Sequence, residues 1–344
     1  MLALSATFDR VSWGTMALCE IVIPYFQRKP GILGRVLTAV SRQTFQDFRV
    51  IIVDDASPSP PELEVAPLDA DMRAKIAIVK RENGGASAAR NTGLDNLSDD
   101  ARFVALLDSD DIWTPDHLER AVATLSGGPA RDLYWDQIKP SEQEDQRDFA
   151  PTRAIAPAAL SATDEAGLSR VDNMFDLMCG PWWRHLHLSI FVMSRPLADA
   201  VRFNTTLKYS EDFDFFIDCA EHAREVYCSD AYGVEIGDGL NIWKSLKTDD
   251  YNYCLEKFCF MTACKRILGF ERVSAKQAQD VRTAIQICRE QFYWSQSKRT
   301  KQRRGPDVML WLRWMLRDPA LFRSSLEILL KRSPTGGNTP PPAY

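Results

Sequence analysis

Phe103-Val104-Ala105-Leu106-Leu107-Asp108-Ser109-Asp110-Asp111 is an apolar run that ends in three carboxylates. Short and bounded by polar residues, it reads as a buried strand of a parallel sheet rather than as a helix. In open α/β sheets ligands bind in the crevice beyond the carboxyl ends of the strands, so acids at this strand's end stand where a site belongs. Three crowded carboxylates repel one another unless a cation or a hydrogen-bond network holds them ionised. A divalent cation is the simplest remedy, and hard oxygen ligands favour Mg2+ or Mn2+, held together with substrate phosphates. A solvated acidic loop is the alternative.

Outward from that strand the pattern alternates. Upstream, Ala17-Leu18-Cys19-Glu20-Ile21-Val22-Ile23 is a first strand closed by Pro24, and Leu33, Val36, Leu37 and Val40 recur at helical spacing. Arg49-Val50-Ile51-Ile52-Val53 is a second strand that ends in Asp54-Asp55 and a Ser/Pro-rich loop, and Lys75 to Val79 is a third. Asn83-Gly84-Gly85 then turns into a helix carrying Ala88, Ala89, Arg90 and Asn91. Strand and helix in alternation call for right-handed crossovers and a mainly parallel sheet. No Gly-x-Gly-x-x-Gly follows the first strand and no Gly-Lys-Ser/Thr ends a glycine loop, so the dinucleotide and P-loop readings lack their key parts.

Taken in order, Ile-Val-Ile-Pro-Tyr-Phe-Gln, Val-Ile-Ile-Val-Asp-Asp-Ala-Ser, Asn-Gly-Gly-Ala-Ser-Ala-Ala-Arg-Asn-Thr-Gly and Leu-Leu-Asp-Ser-Asp-Asp-Ile-Trp resemble the family 2 glycosyltransferases. Pro-Tyr-Phe-Gln-Arg-Lys-Pro-Gly-Ile-Leu is most similar to bacterial exopolysaccharide glucosyltransferases of the succinoglycan type. The resemblance implies a GT-A, Rossmann-like α/β fold, with a mainly parallel central sheet flanked by helices and a C-terminal helical appendix. It assigns Pro24, Tyr25, Asp54, Asp55, Arg90, Asp108 and Ser109 to the nucleotide sugar. Pro24 and Tyr25 would line the pocket, Asp55 would hydrogen-bond the uracil, and Arg90 would support the base or diphosphate. Asp108 and Asp110 match the Asp-x-Asp motif, with Asp108 near ribose or metal, Asp110 on the metal and Asp111 behind them. Each has an ordinary alternative: Asp54 and Asp55 can cap a turn, Gly84-Gly85 can be only a turn, and a helical arginine is often solvated.

Residues from Asp136 to Ala166 lack periodicity and read as a loop or small insertion. Trp182 and Trp183 suit stacking on pyranose faces of an acceptor, or packing beneath a loop. His185 and His187 would share one side of a strand over Leu188 to Met193, where hydrogen bonding is preferred to a metal role. Tyr209-Ser210-Glu211-Asp212 matches the family's Glu-Asp motif at a helix start. The resemblance makes Asp212 the general base and Glu211 its orienter, against the alternative that Ser210 and the acids merely cap the helix. Gly237 to Trp243 is expected to close over the diphosphate, with Asn241 and Lys244 near it.

A chain of 344 residues, 45% hydrophobic, can bury a full core, and no apolar run reaches the length of a membrane span. Eight cysteines without a Cys-x-x-Cys pair read as buried, reduced thiols. The net charge of −5 conceals an asymmetry: Lys298 to Arg332 has ten Lys and Arg against three Asp and Glu, an excess of +7 that leaves −12 elsewhere. Such an acidic remainder argues against nucleic acid. The basic segment suits an anionic membrane surface, with Trp311 and Trp314 entering the interface, or else packs on the protein.

The expected organisation is a loose extension over 1–16, with Met16 a possible functional start, then a GT-A domain over 17–245. That domain divides into a nucleotide-binding half, 17–115, and an acceptor half, 116–245. A helical basic region over 246–333 and a disordered tail over 334–344 would follow. The expected protein is an inverting, metal-dependent hexosyltransferase at the cytoplasmic face of the membrane. It would move glucose from UDP-glucose to a lipid-linked saccharide in exopolysaccharide synthesis, with Mn2+ or Mg2+. Two other classes compete: a phosphatase using Asp108 and Asp110, whose signature belongs on a first strand, and a non-catalytic assembly protein of the same fold.

Overall fold

The computed structural model describes residues 17–139, 160–180, 186–237, 250–302 and 304–321. The chain begins with β1 (Cys19–Tyr25), α1 (Leu33–Ser41) and β2 (Phe48–Asp54). Two short helices, α2 (Glu62–Val65) and α3 (Ala70–Ala74), precede β3 (Ile76–Lys80), α4 (Ala86–Asp95) and β4 (Phe103–Leu106). After β5 (Ile112–Trp113) and α5 (His117–Ser126) come β6 (Arg131–Lys139), β7 (Leu160–Ala162), β8 (Leu168–Val171) and α6 (Met174–Cys179). A 3-10 turn, Leu188–Ile190, leads to β9 (Phe191–Ser194), α7 (Arg195–Ala200), α8 (Glu211–His222) and β10 (Glu225–Glu235). The helices α9 (Tyr251–Ile267), α10 (Ala275–Lys301) and α11 (Val308–Arg317) follow.

Among the described residues the strands form one sheet in the order β3-β2-β1-β4-β9-β6-β10-β8-β7, with β5 on β10. Every residue of β2 and β4 is buried, as hydrophobic strands covered on both faces must be. β3, β2, β1 and β4 are mutually parallel, β9 enters antiparallel, and β6 and β10 resume the first direction. The mainly parallel GT-A architecture flanked by helices is therefore present. β1 has β2 on one side and β4 on the other, so the switch in strand order falls at its carboxyl end. The Leu107 amide donates to the Val22 carbonyl at 3.1 Å, which carries the β1–β4 ladder up to the first acid.

Long-range side chains complete what local sequence leaves open. Ile32 provides no side-chain cap for α1, and Glu64 of α2 takes that place by accepting the Gly31 and Gly34 amides at 2.9 and 2.8 Å. Asp136 to Lys139 belong to β6 and not to a loop, which corrects the start of the stretch read as loop or insertion; residues 140–159 of it lie outside the described residues. Asp136 is fully buried, accepting from the Arg120 guanidinium at 2.8 Å and facing His117 Nδ1 at 2.7 Å, so its neighbours remove the cost that polarity in a strand would carry.

Two compact units divide the chain. One comprises Met1–Asp172, His185–Thr205 and His222–Gly239 and contains the sheet; the other comprises Asn173–Arg184, Thr206–Glu221 and Leu240–Tyr344. The division therefore does not fall at residue 245, and α6 and nearly all of α8 belong with the C-terminal helices. The reason is packing. Phe213 of α8 meets Phe260 of α9 at 4.8 Å, and Arg266 pairs with Asp214 at 2.6 Å and also with Asp218. Gln277 of α10, which completes a capping box with Ser274, donates to Asp176 of α6 at 2.6 Å.

All eight cysteines are free and buried. Burial pushes the thiols of Cys179, Cys228 and Cys288 up to about 12. The native protein should therefore give no fast-reacting thiol with Ellman's reagent at neutral pH, and all eight on unfolding; a rapid native phase would contradict the enclosed geometry. Thiols raised on folding contribute stability that is complete below the ordinary thiol range near ~8.5 and is lost as pH climbs toward the folded values. The urea midpoint should accordingly fall between those limits.

Candidate active site

The glycine turn before α4 is built by one carboxylate. Asp55 accepts the Gly84 amide at 2.9 Å and the Gly85 amide at 2.7 Å, while its carbonyl accepts the Asn83 side chain. Gly85 has φ +85°, a conformation that favours glycine. Both oxygens of the expected uracil ligand thus hold the loop that begins α4. Asp54 accepts the Ser57 amide at 2.8 Å in a turn, as aspartates following strands often do.

α4 then delivers Arg90, nearly buried, over the ring of Phe203 and onto Asp108, with Nη2 donating to Oδ1 at 2.6 Å. Burial alone would raise the Asp108 carboxyl, but Arg90 and then His187 outweigh it and hold the group below the usual carboxylate range. Asp111 goes the other way: burial dominates, His187 opposes it, and repulsion from Asp108 adds to the net upward shift.

Behind the acids lies Ser189, wholly buried in the 3-10 turn. Its hydroxyl donates to Asp111 Oδ2 at 2.5 Å and accepts the Asp108 amide at 3.0 Å. Its own amide donates to His187 Nδ1 at 3.3 Å, and its carbonyl accepts Trp113 Nε1 at 2.5 Å. Asp111 also accepts the Gly237 amide at 2.9 Å. Gly237 passes so close to the Asp110 carbonyl that a Cβ would lie 1.8 Å from its oxygen, so only glycine fits. One buried serine therefore sets three neighbours in place: Asp108, Asp111 and His187.

Among the described residues, those three offer ligand atoms within 4.8 Å of one another. Two carboxylates and an imidazole suit Mn2+ or Mg2+ completed by phosphate oxygens and water, so the donor set fits the expected cofactor. The sequence favours hydrogen bonding for His187 and pairs Asp108 with Asp110. The structure brings His187 and Asp111 into the same group, because the backbone turn between the acids and the 3-10 turn face each other across β4 and β9. Ser189 carries no sequence signal at all.

The other expected residues are placed unevenly. Ser109 is buried and accepts from Gln27 Nε2 at 3.2 Å, beside the acids. Pro24 is half-buried at the β1 end. Tyr25 is fully buried, with its hydroxyl donating to Glu64 at 3.2 Å, which corrects the expectation that its side chain lines the pocket. Alternation along β1 turns Tyr25 into the core. Glu211 and Asp212 begin α8 in the helical unit, where Asp212 Oδ1 accepts the Phe213 amide at 2.7 Å. Ser210 has φ +57° and its buried hydroxyl makes no hydrogen bond among the described residues, so it does not cap the helix. Trp182, Trp183, His185, Asn241 and Lys244 lie outside the described residues.

The comparisons agree with this architecture. Residues 20–184 match the model of glycosyl transferase family 2. The chain is 37% identical over 314 residues to the succinoglycan biosynthesis protein ExoW of Rhizobium meliloti, covering 91% of this chain and 98% of that one. It is 32% identical over 108 residues to WfgD of Escherichia coli, a UDP-Glc:alpha-D-GlcNAc-diphosphoundecaprenol beta-1,3-glucosyltransferase, covering 31% of this chain and 41% of that one. The solved mannosyltransferase PcManGT of Pyrobaculum calidifontis, in complex with GDP-Man and Mn2+, superposes with a TM-score of 0.54 over 96% of this chain and 92% of that one, at 14% identity, a likeness of fold alone. With an α/β sheet whose strand order switches at β1, acids at the end of β4 and a near full-length relative, the chain belongs to the family 2 glycosyltransferases.

Proposed function

We propose that this glycosyltransferase is an inverting, metal-dependent enzyme of exopolysaccharide synthesis. It would transfer glucose from UDP-glucose to a hydroxyl of a lipid-linked oligosaccharide at the cytoplasmic face of the membrane. The observation that carries the reading is the Asp108, Asp111 and His187 group at the β1 switch point of a family 2 chain. The names of the exopolysaccharide relative and of the diphosphoundecaprenol-dependent glucosyltransferase support the pathway, donor and acceptor classes. A phosphatase is disfavoured, since its signature belongs to the first strand of its core and here β1, β2 and β3 precede the acids.

In this reading Asp108, Asp111 and His187 would hold the cation together with the adjacent Asp110, and Ser189 fixes their orientation. A bound divalent cation neutralises the charge that develops on the departing diphosphate. Arg90 keeps Asp108 ionised and aligned, and it supplies positive charge near the phosphates. Pro24, Asp54, Asp55 and Ser109 surround the nucleoside, chiefly through the loop backbones they position. Asp212 accepts the acceptor's hydroxyl proton while that oxygen bonds to the anomeric carbon and the bond to the UDP oxygen breaks. Its place in the first turn of α8 favours the negative charge that a base carries. Glu211 orients the acceptor, and Trp182 and Trp183 stack on its sugars.

Incubation with UDP-glucose, Mn2+ and a lipid-linked acceptor should release UDP, and excess chelator should stop it; undiminished turnover in chelator would end the metal reading. Asp110→Asn should lose most of that turnover with its fold intact. His187→Ala and Ser189→Ala should each weaken Mn2+ binding, followed by electron paramagnetic resonance, by about 10- to 100-fold. Wild-type affinity in His187→Ala would remove the histidine from the site.

Asp212→Asn should lower kcat by about 10²- to 10⁴-fold while leaving UDP-glucose affinity unchanged, because the lost group acts on the acceptor proton. An equal loss of donor affinity would refute the assignment.

A further inference from the structure

α11 has two apolar faces, and the fold uses one of them. Leu310 and Trp314 are buried; Trp314 stacks on Phe292 of α10 at 4.1 Å and meets Phe258 of α9 at 5.2 Å. Trp311 sets its ring edge-on to Phe292 at 5.2 Å and to Tyr293 at 6.4 Å. The two tryptophans expected to enter a membrane interface are instead packing residues within the helical unit, a correction that follows from the aromatic surface α10 offers them.

At 3.6 residues per turn, Val308, Leu312, Leu316 and Met309 fall together on an arc about 100° wide on the opposite side. They are 60%, 49%, 84% and 63% exposed. Single exposed leucines are ordinary, but four large apolar residues on one arc of a ten-residue helix are a patch that the described residues leave uncovered. Arg313, exposed, borders that arc, Arg317 further round the helix lies over the Phe258 ring at 5.5 Å, and exposed Lys301 and Arg304 lie just before the helix. The segment from Lys298 to Arg332 carries an excess of +7 in a chain whose net charge is −5.

We propose that this outer face of α11 docks in the plane of a bilayer that contains anionic lipid. The aliphatic arc enters the acyl boundary, and Arg313 with Lys301 before the helix lies at headgroup level. Charge selects this occupant. A basic border matches an anionic surface, and the acidic remainder of the chain is repelled by the same surface, so only this end approaches it. A ten-residue helix is about 15 Å long, half a hydrocarbon core, and no described helix is long and apolar enough to cross a membrane. The inference deepens the lipid-linked acceptor reading by naming the surface that would bring the enzyme to such an acceptor.

The test is co-flotation of the full chain with phosphatidylglycerol-containing vesicles and with pure phosphatidylcholine vesicles, at low and high salt. The wild type should float with the anionic vesicles at low salt, and less as salt rises. Leu312→Ser/Leu316→Ser should reduce the partition about tenfold or more, and Lys301→Glu/Arg313→Glu should abolish the preference for anionic lipid. Both variants change exposed positions, so their melting temperatures and the shift produced by UDP should equal the wild type's. Failure of the wild type to float, or flotation unchanged in the leucine variant, would overturn the proposal. So would a melting temperature lowered by that variant, which would show that another part of the chain covers the arc. A wild-type dimer that the variant dissolves would also overturn it, by making the face a protein interface. UDP binding without flotation removes the docking surface alone, and flotation without UDP-glucose turnover removes the proposed reaction alone.

Discussion

Negative charge gathered at the end of one strand is the constraint that the sheet unit must satisfy. Asp108 and Asp111 lie close enough to repel each other in surroundings that also penalise charge, and the protein answers with Arg90, His187 and Ser189. The dependence is mutual. A nearly buried guanidinium is tolerable only beside a carboxylate, and an uncompensated partner in such a pair would cost about 3–5 kcal/mol. Arg90 is delivered by α4, α4 begins at the Gly84-Gly85 turn, and that turn is tied to Asp55 at the end of β2. Acids at the ends of the two strands that flank β1 are thus linked through one helix, so a change at Asp55 reaches the site by moving Arg90.

The second link runs through β9. The 3-10 turn before it places Ser189 so that hydroxyl, amide and carbonyl each meet a different partner around the acids. Gly237, after β10, closes the other side by approaching the Asp110 carbonyl. Elements far apart in the chain therefore fix one short loop, and fixed donors lower the reorganisation that a developing charge would otherwise demand. The helical unit is organised differently. Its interior is aromatic, with Phe213 on Phe260 and Phe292 on Trp314, and ion pairs such as Arg289 and Lys265 on Asp318 secure the margins.

Much of the sheet is legible in the amino-acid order, because buried parallel strands are written as nearly continuous apolar runs; β4 is such a run, and β1 and β2 are broken only by Glu20 and Arg49, which pair with each other at 2.9 Å. The acids are legible for the same reason: a carboxylate that ends an apolar strand breaks a pattern. Asp136 reads as loop because hydropathy has no record of a partner, and Arg120 and His117 lie 16 and 19 residues away. Tyr25 is misplaced by its motif because motif order identifies a neighbourhood without saying which way a side chain points. The tryptophans of α11 have a composition that suits an interface and a core equally well; only the position of Phe292 decides between them.

The sequence by itself determined the alternation of strand and helix, the family, the end of the sheet where a site must form, and which residue types stand there. These follow from periodicity and from the order of short motifs, which are local properties. Tertiary structure alone decided that His187 and Asp111 join Asp108, that Ser189 holds them, that Asp55 anchors a glycine turn, that α8 packs with the C-terminal helices, and which side of α11 is left exposed. Each of these is a meeting of residues distant in the chain. The free energy of such a meeting depends on distance and burial in the folded chain, and neither quantity is encoded at any single position.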